Sequence, residues 1–209
     1  MPLDPVNISP VLRADLQRIA DMVEPDSRVL DIGCETGDLL AYLWHQKNVD
    51  ARGLEISQDG VHACVSRGLS VVQGDADVDL NGYPDKAFDY AILSLTLQAT
   101  RDPKGVLANL VRISRHAVVS FPNFGHWRTR LWLLVRGRMP VSASLPYSWY
   151  ETPNIHFCTI TDFVELCRAL KIEITRSLIV NRGGKVQDRP ANGWANWTGE
   201  QGIFLLHKD

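Results

Sequence analysis

Arg28-Val29-Leu30-Asp31-Ile32-Gly33-Cys34-Glu35-Thr36-Gly37-Asp38 decides the fold: an apolar strand runs into an acid and then into two glycines. A strand, a glycine loop and a helix start in that order signal a nucleotide-type ligand. A dinucleotide loop needs further glycines at positions 35 and 38, so that backbone touches pyrophosphate and the helix packs closely on the strand. Glu35 and Asp38 stand there instead. Acids beside a helix N-terminus oppose a phosphate, because that terminus attracts anions only through amides that face them unopposed. The loop therefore suits a ligand carrying positive charge.

Outward from this loop, strand and helix signals alternate from about residue 8 to residue 121, which predicts a parallel sheet covered by helices. A helix spans Ser9 to Glu24, with Val11, Leu12, Leu16, Ile19, Ala20 and Val23 at helical spacing and Pro25 as its stop. Strands follow over Arg28 to Ile32, Ala51 to Ile56, Ser70 to Gln73, Phe88 to Leu93 and Ala117 to Phe121. Between them lie helices from Gly37 to Gln46, after the cap Ser57, and from Pro103 to Ile113, with turns at Asp75 to Asp77 and Asn81 to Pro84. Right-handed crossovers bring the strand ends to one edge of the sheet, where open α/β sheets bind ligands.

Beyond residue 121 the character changes. A basic, aromatic helix covers Trp127 to Val135, and a loop rich in Pro, Ser, Tyr and Trp runs from Gly137 to Cys158. So long an irregular stretch reads as a lid or docking insertion, placed at about 122–160 within a single domain of 1–209. Trp132, Met139, Tyr147, Trp149, Tyr150 and the arginines at 128, 130, 136 and 138 are the residue types enriched at protein interfaces. The same helix also reads as one packed on the sheet edge with its arginines at a solvated rim. A helix over Thr161 to Leu170 and strands over Ile172 to Val180 and Gly202 to His207 complete the chain, joined by glycine-rich turns at Gly183-Gly184 and Asn192-Gly193.

Composition narrows the function class. With 209 residues the chain fits one domain. Lys and Arg number 22 against 24 Asp and Glu, a net charge of −2, so no global basic field draws the protein to nucleic acid. Met1-Pro2-Leu3-Asp4-Pro5 lacks the basic region and apolar core of a leader, and no run nears the roughly 20 apolar residues of a membrane span, so a cytoplasmic location is expected. Cys34, Cys64, Cys158 and Cys167 form no Cys-x-x-Cys pair, and the histidines show no ligand spacing, so neither a metal nor a disulfide framework is expected.

The segment Val29 to Gly37 resembles the first motif of class I S-adenosylmethionine-dependent methyltransferases, with Glu55, Asp75-Ala76 and Phe88-Asp89-Tyr90 matching later ones. The resemblance implies a Rossmann-like α/β fold, a mostly parallel seven-stranded sheet with helices on both faces. It also implies a site for S-adenosylmethionine or S-adenosylhomocysteine formed by Asp31, Gly33, Cys34, Glu35, Gly37, Glu55, Ile56, Asp75, Ala76 and Leu93. Glu55 follows Gly33 at close to the ~20-residue offset of a ribose-reading acid, and its two oxygens match a vicinal diol. Its alternative is a solvent-facing acid at a strand end. Asp75 either accepts from the adenine amino group or serves a turn. Glu35 departs from the glycine usual there; it is expected to turn away from the ligand and to weaken its binding.

Leu93 to Ala99, Ser120 to Trp127, Gly137 to Val141 and Thr152 to Thr159 resemble, in order, the MetW family of methionine-biosynthesis proteins. That resemblance implies a partner of homoserine O-acetyltransferase on a methyltransferase fold. The other reading is an active methyltransferase acting on a small substrate beneath the 137–158 loop. Strand four ends Leu95-Thr96-Leu97-Gln98, which lacks the Asn/Asp-Pro-Pro-aromatic signature of amino-methylating sites. His126 and His156 are the candidate general bases, each equally readable as a packed or hydrogen-bonding loop residue.

Overall fold

The computed structural model describes residues 12–142 and 145–208. The opening helix α1 covers Ala14–Met22 and ends where Val23 turns extended; the expected start at Ser9 lies outside the described residues. The parallel half follows the expected rhythm through β1 (Arg28–Ile32), α2 (Asp38–Lys47), β2 (Asp50–Glu55), α3 (Gln58–Ser66) and β3 (Ser70–Gln73). It continues through α4 (Ala76–Asp79), β4 (Phe88–Ser94), α5 (Pro103–Ile113) and β5 (Ser114–Pro122). Then come α6 (Trp127–Arg136), α7 (Ile160–Ala169), β6 (Glu173–Val180), β7 (Val186–Asp188), α8 (Gly193–Thr198) and β8 (Gln201–His207).

Helix starts obey local chemistry. Side-chain oxygens of Ser57, Asp102, Thr159 and Asn192 accept from backbone N–H groups at 3.4, 3.0, 3.2 and 3.0 Å, satisfying donors that the first turn leaves orphaned. Pro103 occupies the first turn of α5, where a missing N–H costs nothing.

One sheet of 8 strands results, in the order β3-β2-β1-β4-β5-β8-β6-β7. The strands β1 to β5 pair in parallel, while β8 lies antiparallel to both β5 and β6. The sequence predicts seven strands. The eighth, β7, is a three-residue edge strand paired with Leu178–Val180 of β6, too short to print a period-two pattern between its glycine turns. The short helices α4 and α8 likewise occupy stretches read as turns.

Side chains alternate across β1 into two cores. Val29 packs with Ile19, Leu39 and Leu43, whereas Leu30 and Ile32 join Leu107, Leu110 and Phe121 on the opposite face. That alternation covers both faces of the sheet with helices. In the second core Phe121, Phe163 and Phe204 are fully buried, with ring centroids 4.7 to 5.5 Å apart. The trio locks α7 and the antiparallel β8 to the parallel half. Replacing Phe121 by Ala removes this contact and leaves a cavity, so urea unfolding should show a loss of about 3–5 kcal/mol.

Candidate functional site

The carboxyl ends of β1 to β5 line one edge, and the loops after them enclose adjoining cavities. One, of about 370 Å³, is bordered by Ile32, Gly33, Ile56, Asp75, Ala76, Thr96 and Arg101. A smaller one, about 90 Å³, is bordered by Asp31, Gly33, Cys34, Glu35, Ser94 and Arg13. Gly33 borders both, so the two form one crevice over the end of β1.

Gly33 and Gly37 sit at φ of +73° and +77°, the left-handed region open to glycine. A Cβ on Gly33 would lie 2.5 Å from Thr96 Oγ1, and one on Gly37 would strike Leu69 and Cys64. The glycines are thus required by the turn and by packing against the loop after β4 and the end of α3. Glu35 also has positive φ, +50°. That conformation costs a residue with a Cβ roughly 1–2 kcal/mol, which explains physically why glycine suits the position. The residue is exposed and borders the crevice.

Glu55 is 6% exposed, and its carboxylate accepts from the Glu35 N–H at 2.9 Å and the Ser57 N–H at 2.8 Å. A carboxylate has about four acceptor sites, so these bonds leave capacity for two hydroxyls. The carboxylate of Asp31, a residue 3% exposed, accepts no hydrogen bond among the described residues. Burial first, then the charges of Glu55 and Glu35, pushes its carboxyl up to about 7.

Asp75 and Asp77 have a more structural environment than the sequence suggests. Asp75 caps α4 by accepting from Asp77 N–H at 2.9 Å and pairs with Arg101. Asp77 accepts from the N–H groups of Arg101 and Asp102 at 2.9 and 2.8 Å. Burial raises the Asp77 carboxyl, but these donors and the Arg101 charge outweigh it and leave the group below its ordinary value. Ile56, 65% exposed, and Ala76 offer an apolar wall beside them. Leu93 is fully buried within β4 and presents no surface, so Ser94 and Thr96 border the crevice in its place. Cys34 is buried and borders the smaller cavity, its thiol raised by burial first and by Asp31 next.

Neither histidine lines the crevice, although the His156 ring contacts Arg101 at its border. His126 is 7% exposed, and its Nδ1 accepts from the Arg128 N–H at 3.3 Å as the cap of α6. Burial lowers its pKa, keeping the ring neutral. His156 donates its backbone N–H to Gln98 O at 3.0 Å, with its ring 3.4 Å from Arg101 O. Neither borders the cavities described. Among the described residues no group of three His, Cys, Asp or Glu is placed to hold a metal, and no helix is long and apolar enough to cross a membrane.

Arg101 and Thr96 escaped the sequence reading. Thr96 lies within the Leu93 to Ala99 segment but is given no role there, Arg101 lies outside every such segment, and each matters through a partner far along the chain.

The family model described as methionine biosynthesis protein MetW matches residues 13–206. The bifunctional methionine biosynthesis protein MetXA/MetW of Rhodopirellula baltica is 30% identical over 209 residues, covering 95% of this chain and 33% of that one. The chain thus spans about a third of the length of that curated relative. Among solved structures, a Thermotoga maritima S-adenosylmethionine-dependent methyltransferase, described as a possible histamine N-methyltransferase, superposes with a TM-score of 0.69 at 18% identity, over 94% of this chain and 88% of that one. Another from Mesorhizobium loti superposes with a TM-score of 0.68 at 15% identity, over 94% and 98%. The fold is therefore that of the class I methyltransferases, with one strand more than the sequence predicts. With the family model covering nearly the whole described chain, the protein belongs to the MetW family of methionine-biosynthesis proteins.

Proposed function

We propose that this protein is a S-adenosylmethionine- or S-adenosylhomocysteine-binding subunit that docks on homoserine O-acetyltransferase and supports it. The observation that carries the cofactor half is the crevice beside Gly33. Glu55 has acceptor sites to spare for a ribose, Ile56 and Ala76 offer an apolar wall for a purine, and buried Asp31 lacks a partner where a cationic amino group fits. The ligand carries ammonium and sulfonium charge and no phosphate, which suits a loop with acids and no basic residue in its turn.

The docking half is supported by the relative whose name joins MetXA and MetW in one chain, and by α6. Only Thr129 of that helix is buried, while Leu134 and Val135 are 83% and 72% exposed. Arg130 Nε holds its first turn by donating to Gly125 O at 2.6 Å, and the rest projects. Arg128 and Arg136 of α6 and Arg138 just beyond it make no ion pair among the described residues, and no Asp or Glu occurs between Asp102 and Glu151. An apolar face ringed by arginine suits an apolar partner surface with an acidic rim. An active methyltransferase is the weaker reading, because neither candidate base borders the crevice cavities.

Three outcomes are expected. Thermal-shift and calorimetric titrations should show S-adenosylmethionine raising the melting midpoint, and Glu55→Gln should weaken binding about 10–100-fold, the range for hydrogen bonds to a charged group; unchanged affinity in a folded variant would refute the ribose contact. Because a cation stabilises ionised Asp31 and that carboxyl titrates near 7, affinity should rise as pH climbs through that value, with Asp31→Asn flattening the profile. Leu134→Asp with Val135→Asp should cut co-purification with homoserine O-acetyltransferase at least about tenfold, as loss of a buried interface anchor does, while leaving cofactor binding intact.

A further inference from the structure

A second and larger cavity, about 490 Å³, opens beside the crevice, between its loop and the segment carrying Tyr147 and Asn154. Glu35 borders both spaces and stands at their junction. We propose that this cavity binds a small molecule carrying a cationic amino group on a compact apolar body, with the Glu35 carboxylate as its counter-ion.

Charge selects the cation. Asp15, the other acid at the cavity, is neutralised by Arg13, whose Nε and Nη2 donate to the two Asp15 oxygens at 2.7 and 3.0 Å. Glu35 has no ion pair or side-chain hydrogen bond among the described residues. Arg13 is attracted by Glu35 as well as by Asp15, so one cation faces two acids at the cavity and leaves it one negative charge in excess. The walls accept an apolar body against Leu95, Pro122, Pro146 and Val180, with Gln98, Asn154 and Gln201 supplying polar groups around it. A ligand with a charged amine and no large polar remainder satisfies both.

Backbone geometry makes the carboxylate at this place costly. Glu35 at φ +50° and Leu95 at φ +52° are both non-glycine residues in the left-handed region, and both border this cavity. Strain of that kind is tolerated where the side chain serves a purpose that glycine cannot. A carboxylate aimed at a ligand cation supplies that purpose at position 35. The inference stands on this cavity alone; the cofactor reading concerns its neighbour.

Matched probes test it on the full chain, with and without saturating S-adenosylhomocysteine: benzylamine and L-leucinamide against benzyl alcohol and N-acetyl-L-leucinamide. Heteronuclear NMR titration should place the amine-induced shifts at Tyr147, Asn154 and Gln201, with the uncharged counterparts binding at least about tenfold more weakly, as loss of a charge-assisted hydrogen bond implies. Glu35→Gln, which keeps size and loses charge, should abolish the discrimination, and added salt should weaken the amines alone. Glu35→Gly should raise the thermal midpoint while losing amine binding, an opposition that a purely structural role does not produce. No amine binding, equal binding of the neutral probes, discrimination that survives Glu35→Gln, or shifts centred on Ile56 and Asp75 would each overturn the proposal. Failure of S-adenosylhomocysteine to bind, with amine binding intact, would strike the cofactor reading alone.

Discussion

The carboxylate of Glu55 ties the molecule's functional edge together. From the end of β2 it accepts the N–H of Glu35 in the loop after β1 and that of Ser57 at the start of α3, at 2.9 and 2.8 Å. Hydrogen bonds to an ionised acceptor are roughly twice as strong as neutral ones, and at 6% exposure water competes little for this one. Two loops from adjacent strands are thereby held at fixed separation, and Gly60 is drawn so close that a Cβ there would lie 2.9 Å from Glu55 Cγ. The left-handed turn at Glu35 persists because its own N–H is claimed by this acceptor. Ordering the loop in this way has an electrostatic cost, since Asp31 and Glu35 lie near the same carboxylate and the Asp31 proton is retained towards neutrality.

The parallel half was legible because each of its strands is bounded by a helix signal and ends beside a chemically distinct residue. Periodicity located β1 to β5 to within a few residues, and the glycine spacing at 33 and 37 placed the turn. What stayed hidden depends on partners distant in sequence. Nothing near Asp75 announces that Arg101 will pair with it, and nothing near Gly33 announces Thr96, whose side chain makes a Cβ there impossible without a shift. The strand β7 was missed because three residues carry no period. Leu93 stands among the ligand residues that the methyltransferase resemblance implies; β4 runs one residue further than predicted, to Ser94, and buries Leu93.

The insertion after β5 shows how unusual composition divides between packing and surface. The stretch Phe121-Pro122-Asn123-Phe124-Gly125-His126 is largely a structural junction. Asn123, 3% exposed, donates to Asn196 O and Gly199 O at 2.7 Å each and accepts from Gly125 and Ile160 N–H at 3.0 and 3.2 Å. One amide thus fastens the end of β5 to both α7 and α8, and His126 is spent capping α6. The residues left without such employment are Leu131, Leu134 and Val135, exposed along α6. Packing accounts for the first group and not for the second.

Between crevice and insertion the contacts are continuous. Thr96 packs over Gly33 at the floor of the crevice and begins the 3₁₀ turn Leu97–Ala99. Within that turn Gln98 O accepts the N–H groups of Ile155 and His156 at 2.9 and 3.0 Å, and Gln98 Nε2 donates back to Leu95 O. The turn therefore clamps the far end of the insertion to the end of β4, beside Gly33. Coupling between sites requires an element whose arrangement both can bias. By position the 3₁₀ turn touches both places, through Thr96 at Gly33 and through Gln98 O at Ile155 and His156. The floor of the crevice and the anchor of the insertion thus share one short segment, which starts in the left-handed region at Leu95.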